Sequence, residues 1–338
     1  MSDKIRTIHY GLGPIGCHIA RVAATRNGIQ IVGGVDIDPA KTGQDLGKVC
    51  GMNRLLGIPV DRTLEAALNR IGADRTGADA VVHSTGSHIA QVMDQLKSLI
   101  AAGLDVVSTC EELSYPWANH PNEAAAIDAM ATERGVGVLG TGVNPGFVMD
   151  TLALVLSGIC QDVTAVRICQ VVDTSKRRVQ LQRKTGAGAT LNEFRRRVAA
   201  GTLRHVGLPE SLQMVAAGLG WRLDKVQDLI EPVIAEHVVS SEYIAVGPGQ
   251  VAGVRQTARG LVGGREVISL ELRMELGASE SYDTIHLEGT PVVDLHISGG
   301  IHGDLATAAI VVNAIPRLVE AMPGLRTMMD MPVVSCRA

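Results

Sequence analysis

The chain has 338 residues and a formal net charge of −4, a length that suits two domains and a charge that gives no footprint for nucleic acid. No apolar run approaches the ~20 residues of a membrane span, and the opening Met-Ser-Asp-Lys-Ile-Arg has no apolar leader segment. The six cysteines (Cys17, Cys50, Cys110, Cys160, Cys169, Cys336) include no Cys-x-x-Cys pair, which argues against a zinc site or other metal and for reduced thiols in a cytoplasmic protein.

Ile5, Ile8 and Tyr10 mark a short β-prone run. Gly11-Leu12-Gly13-Pro14-Ile15-Gly16 follows, then a helix from Cys17 to Thr25 with Ile19, Ala20, Ala23 and Ala24 along one side. A strand, a Gly-x-Gly-x-x-Gly turn and a helix make a dinucleotide fingerprint: the first glycine permits the turn, the second lets a pyrophosphate reach the backbone, and the third lets helix and strand pack closely. The phosphates would sit on free N–H groups at the helix's positive end. Alone, the six residues could be a glycine-rich turn without chemistry. Their context is met, because the run Ile29 to Val35 ends in Asp36, where an acid accepting from the adenosine ribose hydroxyls belongs.

The βα alternation continues. Ile58 to Val60 reads as a third strand, and Thr63 caps a helix through Leu68. Strand Ala80 to His83 ends in Ser84-Thr85-Gly86-Ser87, and a helix from Ile89 to Ala101 carries Val92, Leu96, Leu99 and Ile100 on one face until Gly103 stops it. Strand Asp105 to Ser108 leads to Thr109-Cys110-Glu111-Glu112. Pro121 opens a helix to Arg134, and strand Val136 to Leu139 leads towards Asn144-Pro145-Gly146-Phe147. The pattern predicts an α/β fold: a Rossmann-type, doubly wound parallel sheet over residues 1–147, with ligands bound beyond the carboxyl ends of its strands. Gly11, Gly13, Pro14, Ile15, Gly16, Asp36, Ser84, Thr85, Gly86 and Asn144 are the candidate cofactor residues.

Beyond Phe147 the grammar changes. A helix (Val148 to Ser157) precedes a strand (Ala165 to Val172), a basic glycine-containing segment, and helices at about Leu191–Ala200 and Glu210–Leu219. Long strands follow. In the clearest, Val267 to Leu276, Ile268, Leu270, Leu272, Met274 and Leu276 alternate with Ser269, Glu271, Arg273 and Glu275. That period of two predicts one buried face and one wet or interfacial face. Residues 148–302 therefore read as an α+β domain with an open, largely antiparallel sheet for substrate binding and homodimer formation. A nearly all-apolar helix, Asp304 to Ala321, lies in a C-terminal segment, 303–338, expected to pack back towards the nucleotide domain.

Glu111 and Glu112 sit just past a strand on the ligand side of the sheet. One of them could act as a general base, since desolvation or like-charge crowding raises a carboxylate pKa towards neutrality; an exposed acidic turn is the plain alternative. Aromatic residues are only 2% of the chain, so Tyr115, Trp117 and Phe147 become pocket candidates. Arg183 to Thr190 is a basic, glycine-rich turn, and its Lys184 could hold an anion or close over a substrate. His205 and His302 lie in polar, glycine-bearing loops and complete the pocket candidates, although a structural hydrogen bond is the ordinary role of either alone.

Taken together, these stretches resemble the 2,4-diaminopentanoate dehydrogenase and native amine dehydrogenase family, a branch of the dihydrodipicolinate reductase-like oxidoreductases. The resemblance spans nearly the whole chain. It rests on Gly-Leu-Gly-Pro-Ile-Gly at 11–16, Ser-Thr-Gly-Ser at 84–87, Glu-Glu-Leu-Ser-Tyr-Pro at 111–116, Gly-Val-Asn-Pro-Gly-Phe at 142–147, Lys-Thr-Gly-Ala-Gly at 184–188, His-Val-Gly-Leu-Pro-Glu-Ser at 205–211 and the tail at 303–316 and 323–328. It implies reversible NAD- or NADP-dependent oxidative deamination of an amine to a ketone or aldehyde plus ammonia, through an iminium ion. It also implies a glutamate base, which maps onto Glu111 or Glu112, Glu111 being nearer the strand end. The alternatives are a diaminopentanoate dehydrogenase, a dihydrodipicolinate reductase-like enzyme, disfavoured because the chain has no paired histidines, and a non-catalytic NAD(P)-binding sensor.

Overall fold

The computed structural model describes residues 4–72, 77–177 and 179–336. Met1 to Asp3 of the leader reading, and Arg337 and Ala338 of the C-terminal segment, lie outside them. The chain forms two compact units, one of residues 1–147 with 302–338 and one of 148–301.

The first unit alternates β1 (Ile5–Tyr10), α1 (Pro14–Ala23), β2 (Ile29–Val35), α2 (Leu46–Val49), β3 (Val60–Asp61), α3 (Leu64–Ile71), β4 (Ala80–His83), α4 (Ile89–Ala101), β5 (Asp105–Ser108), α5 (Pro121–Arg134) and β6 (Gly137–Gly140). Between β5 and α5, Glu111–Ser114 forms a single 3-10 turn. The helices start and stop where local chemistry directs: the Thr63 side chain accepts from Ala66 N–H at the head of α3, and Gly135, in the left-handed region at φ 68°, ends α5. Helix α1 begins at Pro14, three residues before the expected Cys17, because proline's fixed φ and missing N–H suit the first turn. The third strand lies two residues late, at Val60, because Ile58 N–H is drawn off by the Asp45 carboxylate.

The second unit holds α6 (Thr151–Ser157), β7 (Asp162–Asp173), α7 (Val179–Lys184), α8 (Leu191–Ala199), α9 (Leu208–Gly218), β8 (Lys225–Ile234), β9 (Val239–Ser240), β10 (Ala245–Val246), β11 (Val251–Val262), β12 (Arg265–Glu275), β13 (Tyr282–Thr290) and β14 (Val293–Ser298). The chain then adds α10 (Gly303–Val319) and β15 (Gly324–Arg326) to the first unit. Among the described residues, the first unit's seven strands are all parallel, in the order β15-β6-β5-β4-β1-β2-β3. Ile8, Val81, Val106 and Val138 share a core with Ile89, Val92, Leu96 and Leu99 of α4 and Ile127 of α5. Burying each such side chain fully contributes about 1.5–3 kcal/mol.

The second sheet runs β14-β13-β7-β12-β11-β8, antiparallel except for β7 beside β12. Ile268, Leu270 and Leu272 of β12 pack with Ile168, Ile285 and Leu287 against Leu208, Leu212 and Val215 of α9. On the other face of β12, Ser269, Glu271 and Arg273 are half-buried. Glu275 is buried, with Arg273 Nη2 2.8 Å from its carboxylate. Glu271 lies 3.3 Å from Arg255, so this face is covered with ion pairs.

Candidate active site

The loops at the carboxyl ends of the first sheet continue its pairing, and so lie side by side. Gly11 N–H donates to Val35 O at 2.8 Å, Ser84 N–H to Tyr10 O at 2.8 Å, Thr109 N–H to His83 O at 2.9 Å and Thr141 N–H to Ser108 O at 2.9 Å. Gly11 turns in the left-handed region at φ 90°, and a Cβ there would sit 2.5 Å from Ser84 O. A Cβ on Gly16 would lie 1.9 Å from Gly11 O. At Gly13, the residue before α1, a Cβ would meet nothing within 4 Å, and no side chain caps the helix. Two of the three glycines are therefore needed for packing, while the middle one faces open space at a helix's positive end.

Asp36, 9% exposed, closes the other side of this cradle. Its Oδ2 accepts from Leu12 N–H at 2.8 Å and from Lys41 Nζ at 2.9 Å, and its Oδ1 from Asp38 N–H at 2.9 Å. Burial pushes this carboxyl's pKa up, but the bonds from Asp38, Lys41 and Leu12 outweigh it and hold the group below the usual carboxylate range. The acid thus reads as a fixed anion with a cation already beside it. A dinucleotide fits these residues: the cradle has the open space at Gly13, and the buried hydroxyls Ser84 Oγ and Thr141 Oγ1 have no hydrogen-bond partner among the described residues.

The acid pair divides. Glu112 Oε1 lies 2.7 Å from His88 Nδ1, while its Oε2 accepts from Ile89 N–H at 2.8 Å and lies 3.4 Å from His120 Nε2. Its backbone N–H donates to Ser87 O at 3.2 Å. Glu112 therefore caps α4 and docks the acidic turn on the 84–87 loop. Glu111 is half-buried, and its carbonyl accepts from Ser114 Oγ at 2.8 Å. The turn passes so close to β6 that a Cβ on Gly140 would lie 2.4 Å from the Leu113 carbonyl carbon. Burial pushes the neighbouring Cys110 thiol up to about 12, so it is no nucleophile at neutral pH.

Tyr115 follows the turn half-buried, and burial, aided by the Asp330 charge, raises its pKa and keeps the phenol protonated. Trp117 is 36% exposed. Thr85, Gly86, Asn144 and Phe147 lie in the loops after β4 and β6. His302 is exposed and caps α10, its Nδ1 accepting from Leu305 N–H at 3.4 Å. In the second unit, Lys184 ends α7 and is exposed. His205 is half-buried; its backbone is held on both sides by Gln256, which also donates to Asp228 at 2.9 Å. The partners of Glu112 escaped the sequence reading. His88, directly after the 84–87 loop at the head of α4, was the available signal.

A likeness at the level of the fold comes first. The dipicolinate-bound dihydrodipicolinate reductase from Paenisporosarcina sp. TG-14 shares the architecture at TM-score 0.53 and 14% identity, over 96% of this chain and 97% of that one. The chain therefore has an α/β architecture of dihydrodipicolinate reductase-like fold. Residues 147–338 match the family described as 2,4-diaminopentanoate dehydrogenase C-terminal domain. The 2,4-diaminopentanoate dehydrogenase of Acetoanaerobium sticklandii is 32% identical over 98% of this chain and 94% of its own length. The amine dehydrogenase structure from Mycobacterium smegmatis superposes with TM-score 0.85 at 26% identity, over 99% of this chain and 98% of that one. The chain belongs to the 2,4-diaminopentanoate dehydrogenase family, among oxidoreductases that act on amine groups.

Proposed function

We propose that this protein is an NAD(P)-dependent amine dehydrogenase that interconverts an amine with a ketone or aldehyde plus ammonia, and that Glu111 is its general base. The observation that carries this reading is the acidic turn docked by Glu112 on the 84–87 loop, one strand away from the glycine cradle. Gly11, Gly13, Pro14, Ile15 and Gly16 receive the pyrophosphate, Asp36 accepts from the adenosine ribose, and Ser84, Thr85, Gly86 and Asn144 line the nicotinamide side. When bound, the nicotinamide takes hydride from the carbon that bears the amine. Glu111 removes a proton from the substrate ammonium and passes it to solvent, and the regenerated carboxylate stabilises the cationic iminium and takes a proton from the water that adds to it. The same carboxyl returns a proton to nitrogen as ammonia leaves. Glu112, with both oxygens engaged, is the residue that holds the turn. Tyr115, Trp117, Phe147, Lys184, His205 and His302 are the proposed pocket residues.

The Lys41 ammonium beside Asp36 supports use of both cofactors, with NAD preferred, because it offsets the charge that would otherwise repel a 2′-phosphate. The chemistry of 2,4-diaminopentanoate is a second reading, favoured by the relative of that name; its carboxylate would need a cation such as Lys184. The ion-paired face of β12 supports a two-fold homodimer, testable by light scattering, where a monomer at working concentration would refute it. Free thiols at Cys17 and Cys50 support a cytoplasmic site of action.

Glu111→Gln tests the mechanism. It keeps size and hydrogen-bonding reach but removes proton acceptance and charge, so turnover should fall by about 10²–10⁴ while cofactor affinity stays near native. If Glu111→Gln stays active and Glu112→Gln does not, the base is the neighbour. If both stay active, the mechanism fails. A panel of simple amines, diamino acids, and ketones plus ammonia separates the two substrate readings.

A further inference from the structure

The carboxyl ends of β4 and β5 share a hydrogen-bond chain, buried at its His83–Ser108 end, whose central ring has no part in the cradle or the acid pair. His83, fully buried, closes β4 in register with Ser108, the last residue of β5. Ser108 Oγ lies 2.8 Å from His83 Nδ1 and accepts from Cys110 N–H at 3.1 Å. On the other side of the ring, Nε2 lies 2.8 Å from Gln95 Oε1 and 2.8 Å from Thr85 Oγ1, and Thr85 Oγ1 donates to Gln95 Oε1 at 2.5 Å. A carbonyl oxygen only accepts, so Nε2 must carry the ring hydrogen, and Nδ1 then accepts from the Ser108 hydroxyl. Burial lowers the His83 pKa, with the Gln95 bond opposing it, so the ring stays neutral at pH 7. One neutral ring thus joins Thr85, in the loop assigned to the cofactor, to the amide that precedes Glu111.

We propose that His83 is a positioning residue: it holds the nucleotide loop through Thr85 and Gln95 and the acidic turn through Ser108 and Cys110, so that cofactor binding and the placement of the base depend on the same ring. This rests on the assignment of Glu111 as base and of the 84–86 loop to the cofactor. The two arms can be separated. An asparagine amide reaches about as far as Nδ1, and a glutamine amide about as far as Nε2.

His83→Asn keeps the Ser108 arm, so NADH binding measured by fluorescence should weaken by roughly tenfold, the worth of one to two hydrogen bonds, with kcat little changed. His83→Gln keeps the Thr85 and Gln95 arm, so NADH should bind as in the native protein while kcat falls by roughly tenfold. In the native protein, ¹⁵N spectra should show His83 protonated at Nε2 and bare at Nδ1 at neutral pH, a readout that needs no variant to fold. A ring protonated at Nδ1 at neutral pH, equal effects of the two variants on NADH binding and kcat, or no effect of either would overturn the proposal. Equal effects alongside an inactive Glu111→Gln would reject the relay and leave the base in place. An active Glu111→Gln would reject the base, and the NADH arm of the His83 test would still read the nucleotide loop.

Discussion

The three glycines of the fingerprint should fail in different ways when each receives one methyl group. At Gly16 the added Cβ would lie 1.9 Å from Gly11 O, a backbone atom that cannot swing aside. At Gly11 it would lie 2.5 Å from Ser84 O, on a backbone already at φ 90°, where an L side chain adds its own strain. Overpacking of this kind costs about 1–3 kcal/mol, and clashes with backbone belong at the upper end. At roughly 2–4 °C per kcal/mol for a domain of this size, Gly16→Ala should lower the melting temperature by on the order of 5–10 °C. Gly13 differs: φ is −68°, and a Cβ meets nothing within 4 Å. Gly13→Ala should therefore change the melting temperature by no more than about 2–4 °C, since an N-cap alanine costs at most about 1 kcal/mol relative to glycine. The methyl group fills the space assigned to the pyrophosphate, so NADH affinity should fall by about tenfold or more. Differential scanning fluorimetry and NADH fluorescence titration on the three variants give both quantities. Native NADH affinity in a folded Gly13→Ala protein would refute the cradle, and a Gly16→Ala protein with native stability would refute the close-packing argument.

Lys41→Ala should leave Asp36 uncompensated and lower kcat/KM with NADP about tenfold, the worth of one charge-assisted contact, while NAD use changes little; equal losses with both cofactors would refute the pairing argument. His9, buried on β1, has its pKa lowered by burial to about 4. The unfolded chain takes up that proton first, so its share of stability is intact above pH 6.5 and lost progressively as pH falls to about 4, a total of about 3 kcal/mol. His9→Asn cannot charge, so urea unfolding at pH 7 and pH 4.5 should show a smaller difference than in the native protein; an unchanged difference would exclude His9 as a source of acid sensitivity. Leu96, fully buried between α4 and the first sheet, should cost about 2–5 kcal/mol as Leu96→Ala by chemical denaturation, and a value below about 1 kcal/mol would contradict the packing described.

The first unit was legible because each of its signals is local. A strand buried on both faces is a run of apolar residues, and α4 writes its buried face at helical spacing in Ile89, Val92, Leu96, Leu99 and Ile100. The strand over 265–275 showed itself by its period of two. The short helices Leu46–Val49 and Val179–Lys184 went unread because one or two turns are too few to establish a period. Helix α6 starts at Thr151 rather than Val148 because Asp150 caps it, accepting from Thr151 N–H. At the candidate site, the backbone features were legible and the side-chain partnerships were not. His88 and His120 reach Glu112 from separate elements, and His83 meets Ser108 only because two strands end in register. Such bonds leave no spacing in the chain to detect.

The first unit is written in two pieces, with residues 148–301 between them. Strand β15 pairs with β6, and Asp128 of α5 accepts from Leu325 N–H at 2.8 Å, so the sheet has its finished edge only once the last part of the chain is present. During synthesis the ribosome releases the whole of the second unit before that edge strand exists. A nascent chain stopped near residue 301 would carry a complete second sheet and a first sheet with β6, apolar at Val138 and Leu139, as an open margin able to recruit a strand from another chain. Closure of the first sheet thus waits on β15, and until that strand pairs, the β6 margin is open to strand exchange.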